Sequence, residues 1–130
     1  MISKFRAWLK NDKEMIDVDE IHFDNGQLDF IGDGITFMRK ADEIELMQST
    51  GLKDKNGQEI FEGDILTDEG CELDEFWSYV YVIFKDGMWY CMPAKSEGYC
   101  GALNEFNEYY SAVGNIYENS DILEDINETL

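Results

Sequence analysis

Lys55-Asn56-Gly57-Gln58-Glu59-Ile60-Phe61-Glu62-Gly63-Asp64-Ile65-Leu66-Thr67 is the stretch whose reading decides the fold. Asn-Gly suits a two-residue hairpin turn, because both central residues of such a turn need positive φ. Glu59-Ile60-Phe61 then reads as a strand, Glu62-Gly63-Asp64 as a second bend, and Ile65-Leu66-Thr67 as the returning strand. From Gly57 to Thr67 this turn, strand, Gly-Asp, strand order has the form of the opening hairpin of an SH3-like barrel.

Working outward, Trp77 to Phe84 is the strongest strand signal in the chain. Val80, Val82 and Phe84 occupy one face, and Tyr79, Tyr81 and Ile83 the other. Apolar residues on both faces predict a strand that is central or covered on both sides. Lys85-Asp86-Gly87 turns it back into Met88-Trp89-Tyr90-Cys91-Met92, and Pro93 stops that strand because it cannot donate to the ladder. Residues 68 to 75 read as an exposed loop. Leu103, Phe106 and Tyr110 fall at helical spacing, and Ala112 to Tyr117 reads as a last strand. Ser120 or Asp121 then caps a short C-terminal helix with Ile122, Leu123 and Ile126 on its apolar side.

Upstream, Phe5, Ala7 and Leu9 alternate with Lys4, Arg6 and Trp8 in a first short strand, and Lys10-Asn11-Asp12-Lys13 forms a polar turn. A meander follows: Ile21 and Phe23, the bend Asp24-Asn25-Gly26-Gln27, Leu28 and Phe30, the bend Gly32-Asp33-Gly34, and a strand with Ile35 and Phe37. Glu43-Ile44-Glu45-Leu46 opens a further strand. The fold class expected is α+β and mainly β. A small N-terminal meander subdomain (residues 1–45, β or α+β) precedes an SH3-like barrel subdomain (residues 46–130) that ends in the short helix, the whole forming a single compact domain.

Charge narrows the function classes. Twenty-nine acidic residues against ten basic give a formal net charge of -19 over 130 residues. Phosphate backbones and anionic membranes repel such a surface, so direct nucleic-acid or membrane binding is not expected. No Lys or Arg follows Lys95, while eight carboxylates do, and Asn56 to Phe84 again holds eight carboxylates and no basic residue. Solubility explains this balance most simply. A nucleic-acid mimic that occupies a basic groove on another protein is the sharper alternative. Cys71, Cys91 and Cys100 are odd in number and form no C-x-x-C pair, which predicts free thiols in a reducing cytosol. With His22 as the one histidine, no zinc set and no metal cofactor is expected. The start Met1-Ile2-Ser3-Lys4-Phe5-Arg6 has no apolar run of the signal-peptide type, and no stretch is long enough to span a bilayer.

Three collinear stretches carry a family resemblance. They are Lys4-Phe5-Arg6-Ala7-Trp8, the block from Met47 to Leu66 that includes Gln48-Ser49-Thr50-Gly51-Leu52-Lys53-Asp54, and Val113-Gly114-Asn115-Ile116-Tyr117-Glu118-Asn119. On these the chain resembles the YopX family of phage and prophage proteins. Ser49 departs from the pattern, in which an aromatic is usual, and residues 11–43 and 68–111 match no fixed pattern. The resemblance implies a small accessory protein of a temperate phage or prophage in the bacterial cytoplasm, without an assigned activity. It also implies an N-terminal α+β portion joined to a C-terminal SH3-like portion, and assembly into homo-oligomers.

The polar cluster Gln48, Thr50, Gly51, Lys53, Asp54, Asn56 and Gly57, with Gly63, Asp64 and Asn115, is the candidate interaction or structural loop. A calcium loop starting at Asp54 fails, since its sixth residue is Glu59 and its twelfth Ile65. A turn in which Gly57 supplies positive φ and Asp54 caps the bend fits better. Trp77, Tyr79, Tyr81, Trp89 and Tyr90 are the candidate aromatic face, for self-association or for a proline-rich peptide. No nucleophile stands with a base and an orienting group, so no catalytic residue and no enzyme is expected. A non-enzymatic homo-oligomeric interaction protein is the leading reading. An acidic decoy or inhibitor of a basic host or phage protein is the second.

Overall fold

Period-two segments become strands almost throughout the computed structural model, which describes residues 4–68, 79–94 and 101–121. The chain is mainly β. It divides into two units, residues 1–49 and 50–130. The division falls within one long strand, where the sequence reading set it at 45/46.

In the first unit β1 (Phe5–Leu9) is central. It pairs antiparallel with β2 (Glu14–Val18), Ala7 opposite Ile16, and with the start of β6 (Ile44–Lys53), Ala7 opposite Leu46. Its alternation therefore points Ala7 and Leu9 inward. They join buried Ile31 and Ile44, with Ile16, Val18, Ile21, Leu28, Phe37 and Leu46 packed around them. A second small sheet runs β3 (Ile21–Asp24), β4 (Gln27–Ile31), β5 (Arg39–Lys40).

Two segments of this unit differ from the sequence expectation. Glu14–Val18 is a strand, although its charged and apolar residues do not alternate cleanly; Ile16 and Val18 face the core. Ile35 and Phe37 form no strand. The Asp33 carboxylate instead accepts the backbone N–H groups of Ile35 (2.9 Å), Thr36 (2.8 Å) and Phe37 (3.0 Å), and the Thr36 hydroxyl. A side chain that gathers successive N–H groups offers the backbone an alternative to a ladder, and the turn wins. Ile35 is left 91% exposed. Thr36 first, then the Phe37 and Ile35 amides, hold the Asp33 carboxyl well below the usual carboxylate range.

The second unit holds the end of β6 paired with β7 (Glu59–Phe61), then β8 (Asp64–Thr67), β9 (Tyr79–Lys85), β10 (Met88–Pro93), β11 (Gly101–Ala102) and β12 (Ser111–Asn115). The last five form one antiparallel sheet in the order β11-β10-β9-β8-β12. β9 is its middle strand, as its two apolar faces predict. Ile60, Leu66, Val80, Val82, Cys91, Leu103 and Tyr110 make a separate core. The helical spacing at Leu103 yields only a 3₁₀ turn, Leu103–Glu105, with the Phe106 and Asn107 amides both on the Leu103 carbonyl (2.9 Å each). That turn still sets the Phe106 and Tyr110 rings edge to face, 5.6 Å apart. The expected helix after Asp121 and most of the expected loop after Asp68 lie outside the described residues.

The two Asn-Gly steps fold differently. Asn25 and Gly26 both have positive φ (53° and 79°), as do Asp86 and Gly87 (52° and 79°), the two-residue hairpin form. At Asn56-Gly57 only Gly57 does (84°), because the Asp54 side chain winds the chain into a longer turn.

Gly57 and Gly32 separate strain from space. A Cβ on Gly57 meets nothing within 4 Å, whereas one on Gly32 (φ +97°) would lie 2.3 Å from the Phe37 carbonyl oxygen. Gly57→Ala should cost about 1 kcal/mol, the left-handed penalty alone. Gly32→Ala should cost about 3 kcal/mol or more, since backbone must also move. Urea denaturation checks this, and equal losses at the two sites would contradict it.

Candidate functional site

The motif cluster is assembled by β6, the turn after it, and the ends of β8 and β12. Thr50, Gly51 and Lys53 are strand residues of β6 rather than loop residues, and Gln48 lies in the first unit opposite Phe5. The Thr50 hydroxyl donates to the Ile60 carbonyl (2.7 Å) and accepts the Leu52 amide (3.1 Å). Between them Gly51 takes φ +78°, a kink within the strand. The Lys53 carbonyl accepts the side-chain amide of Asn107 (2.8 Å).

Asp54 is the hub. It is buried, and its Oδ1 accepts the amides of Asn56 and Gln58, both at 2.9 Å. Its Oδ2 accepts the amide of Ala112 in β12, also at 2.9 Å. Beside it the Lys55 amide donates to the Tyr110 carbonyl (3.0 Å), and the Asn56 side chain to the Ser111 hydroxyl (3.1 Å). Burial pushes the Asp54 carboxyl up, but the Ala112, Gln58, Asn56 and Gly57 amides together outweigh it, and the net shift is downward.

A second clasp closes the other end of β8. Gly63 (φ +85°) donates to the Val82 carbonyl and accepts the Ile116 amide, both at 2.9 Å. Asp64 accepts the Phe61 amide (2.8 Å) and stands opposite Asn115 in the β8/β12 register. Asn115 accepts the amides of Tyr117 (3.0 Å) and Glu118 (2.8 Å), and donates its own to Asn119 (3.1 Å). Gly114 leaves room for that Asn119 side chain, which would lie 2.4 Å from an added Cβ. The structure thus brings Thr50, Lys53, Asp54 and Asn56 into one clasp and Gly63, Asp64 and Asn115 into another. In both, these hydrogen bonds stay within the protein and go mostly to its own main chain, with the Asn56 side chain on the Ser111 hydroxyl as the exception.

The aromatic candidates do not share one face. Register puts Tyr79 opposite Thr67, Tyr81 opposite Ile65 and Met92, and Tyr90 opposite Ile83, so the three tyrosines lie on one side of the sheet. Trp89 lies on the other side, opposite Phe84, packed against the second core with its ring 4.7 Å from the Phe84 ring. Trp77 lies outside the described residues. At the hairpin end Phe84 and Met88 are 52% and 50% exposed.

A groove in the first unit was not anticipated. It has a volume of about 420 Å³ and runs along Ile16 to Glu20, with Ile31, Gly32, Asp33, Thr36 and Phe37 as the facing wall. The unassigned strand Glu14–Val18, followed at once by Asp19-Glu20, was the signal that could have found it.

Among the described residues no three or more His, Cys, Asp or Glu are grouped to hold a metal ion, and no helix is long and apolar enough to cross a membrane. Cys91 is buried as a free thiol, and burial pushes it up to about 12. His22 is half-buried against Phe30, the rings stacked 4.2 Å apart, and its Nε2 donates to the Gly32 carbonyl (3.1 Å).

A small, mainly β protein whose motif residues clamp its own backbone is the class that fold and site define. The YopX protein family model matches residues 4–124, and the chain belongs to the YopX family. Protein EF1440 from Enterococcus faecalis, known from a crystal structure, is 30% identical over 95% of this chain and 99% of its own, with a TM-score of 0.70. Protein yopX from Bacillus subtilis, solved by X-ray crystallography, shares the fold at 17% identity, covering 92% of this chain and 96% of its own, with a TM-score of 0.54. No curated protein sequence matches significantly.

Asp54→Asn retains shape but turns an amide NH₂ toward one of the three N–H donors. It should destabilise the protein by about 2 kcal/mol near neutral pH, the cost of buried donors left unsatisfied. Because the folded carboxyl titrates below its ordinary 3.8, its stabilisation is complete above the unfolded value and is lost as pH falls through the folded one. The gap between wild type and variant in denaturant midpoint should therefore be full above about pH 5 and shrink below about pH 4. A gap independent of pH would contradict this. Cys91 should resist alkylation in the native protein and react on unfolding, read by mass spectrometry of its peptide.

Proposed function

We propose that the protein is a non-enzymatic interaction protein that associates with copies of itself through the β9–β10 hairpin. The observation that carries this reading is the apolar tip of the β9–β10 hairpin, where Phe84 on the Trp89 side and Met88 on the tyrosine side are both half exposed, in a chain otherwise dominated by carboxylates. Clustered exposed apolar side chains mark contact surfaces more often than isolated ones do. Tyr81, Ile83, Tyr90 and Met92, half-buried on the tyrosine side of the same hairpin, extend the available apolar area. Within this reading the second unit is an SH3-like barrel. The antiparallel run β8-β9-β10, with β7 before it and β12 beside β8, supports that assignment. The buried thiol of Cys91 suits a reducing bacterial cytoplasm, and phage or prophage origin follows the family resemblance.

The second reading, an acidic decoy for a basic protein, is favoured by the net charge of -19. Ionic strength distinguishes the two. Self-association brings like charges together, so added salt screens repulsion and should strengthen it, whereas capture of a basic partner weakens with salt.

Light scattering at micromolar concentration should give a mass above the monomer value of 15.1 kDa, rising or holding between 50 and 500 mM salt (about 14 to 4 Å of screening length). Phe84→Glu with Met88→Glu should return the monomer with unchanged circular dichroism. A wild-type monomer at every salt concentration would refute the proposal.

A further inference from the structure

The groove of the first unit lies along β2, the terminal strand in the order β2-β1-β6-β7. Side chains of a strand alternate between faces, yet the three consecutive β2 residues Ile16, Asp17 and Val18 all line this groove, followed by Asp19 and Glu20 just past the strand's end. That contact pattern belongs to something approaching the strand edge-on rather than resting on one face. On its inner side β2 is bonded to β1, and among the described residues no strand occupies its outer side. Main-chain donors and acceptors on such an edge pair readily with an added extended segment.

Charge selects the segment. The first unit contains six of the ten basic residues of the chain, yet none lines the groove, while Asp17, Asp19, Glu20 and Asp33 do. Their roles differ. Asp33 is taken up by its own turn, Asp17 stands opposite Arg6 in the β1/β2 register, and Glu20 Oε2 lies 3.4 Å from His22 Nε2. Asp19 is exposed at the open end. The floor between them is apolar, formed by Ile16, Val18, Ile31 and Phe37. Carboxylates above an apolar floor match side chains that carry a cation on an aliphatic stem.

We propose that this groove binds an extended lysine- or arginine-bearing segment of a partner protein, which adds as a strand along β2. Main-chain pairing with β2 supplies the register, the apolar floor receives the aliphatic stems, and Asp17, Asp19 and Glu20 face the cationic heads. This site is separate from the hairpin surface proposed for self-association.

The test uses the full chain and a fluorescent-labelled peptide of alternating lysine and valine as probe, followed by anisotropy. Saturable binding is expected. The combined variant Asp17→Asn, Asp19→Asn, Glu20→Gln should weaken it at least tenfold. Neutralising three exposed carboxylates of the other unit (Glu105→Gln, Glu108→Gln, Glu118→Gln) should change it less than twofold. Methylating alternate backbone nitrogens of the peptide on its pairing edge should also abolish binding, with its charges unchanged. Equal losses from the two sets of neutralisations would identify a diffuse attraction to an acidic surface and overturn the proposal. So would full binding by the methylated peptide, and so would the absence of any saturable binding.

Discussion

The second unit depends on a buried carboxylate solvated by main chain. Removing an ionised carboxyl from water costs several kcal/mol unless other donors replace the solvent. Asp54 meets that requirement with the amides of Asn56, Gln58 and Ala112. Two of those donors shape the turn into β7 and the third belongs to β12, more than fifty residues later. One side chain therefore fixes both a local bend and a long-range closure. Hydrogen bonds to charged acceptors contribute about twice what neutral ones do, and their directionality leaves little freedom in the register of β12. The Gly63, Asp64 and Asn115 clasp does the corresponding work at the far end of β8.

In both clasps the polar residues of the motif are engaged within the chain itself. A carboxylate with both oxygens occupied, and an asparagine that closes its own turn, have little left to offer a ligand. The two surfaces proposed for recognition lie elsewhere: the apolar tip of the β9–β10 hairpin, and the open edge of β2.

Strands were legible in the sequence wherever burial on one face imposed a period of two, as at Phe5, Ala7 and Leu9, or where both faces were apolar, as at Tyr79 to Ile83. Tight turns were legible where two small or polar residues could take positive φ, as at Asn25-Gly26. Reading failed where a side chain competed with the ladder. Asp33 captured the amides that Ile35 and Phe37 needed for a strand, and Asp54 lengthened a turn that its Asn-Gly pair suggested would be short. Neither outcome follows from hydrophobic periodicity, because both depend on where a carboxylate can reach. Glu14 to Val18 was missed for another reason. Met15 next to Ile16 blurs its period of two, and only its pairing with Phe5 to Leu9 reveals it. The groove joins residues 16–20 to 31–37 across the fold, so in the sequence only the strand beside it could have hinted at it.

The unlike environments of the two Asn-Gly steps also govern how the protein ages. Deamidation begins when the backbone nitrogen of the following glycine attacks the asparagine side-chain carbonyl, which requires both groups to move freely. At Asn56 the side chain is tethered to Ser111 and the Gly57 nitrogen is held by the Asp54 carbonyl. Asn25 stands exposed at the tip of its hairpin. Chemical damage during long storage therefore concentrates at Asn25, adding a carboxylate to an already anionic surface, while the clasp around Asp54 shelters its own asparagine.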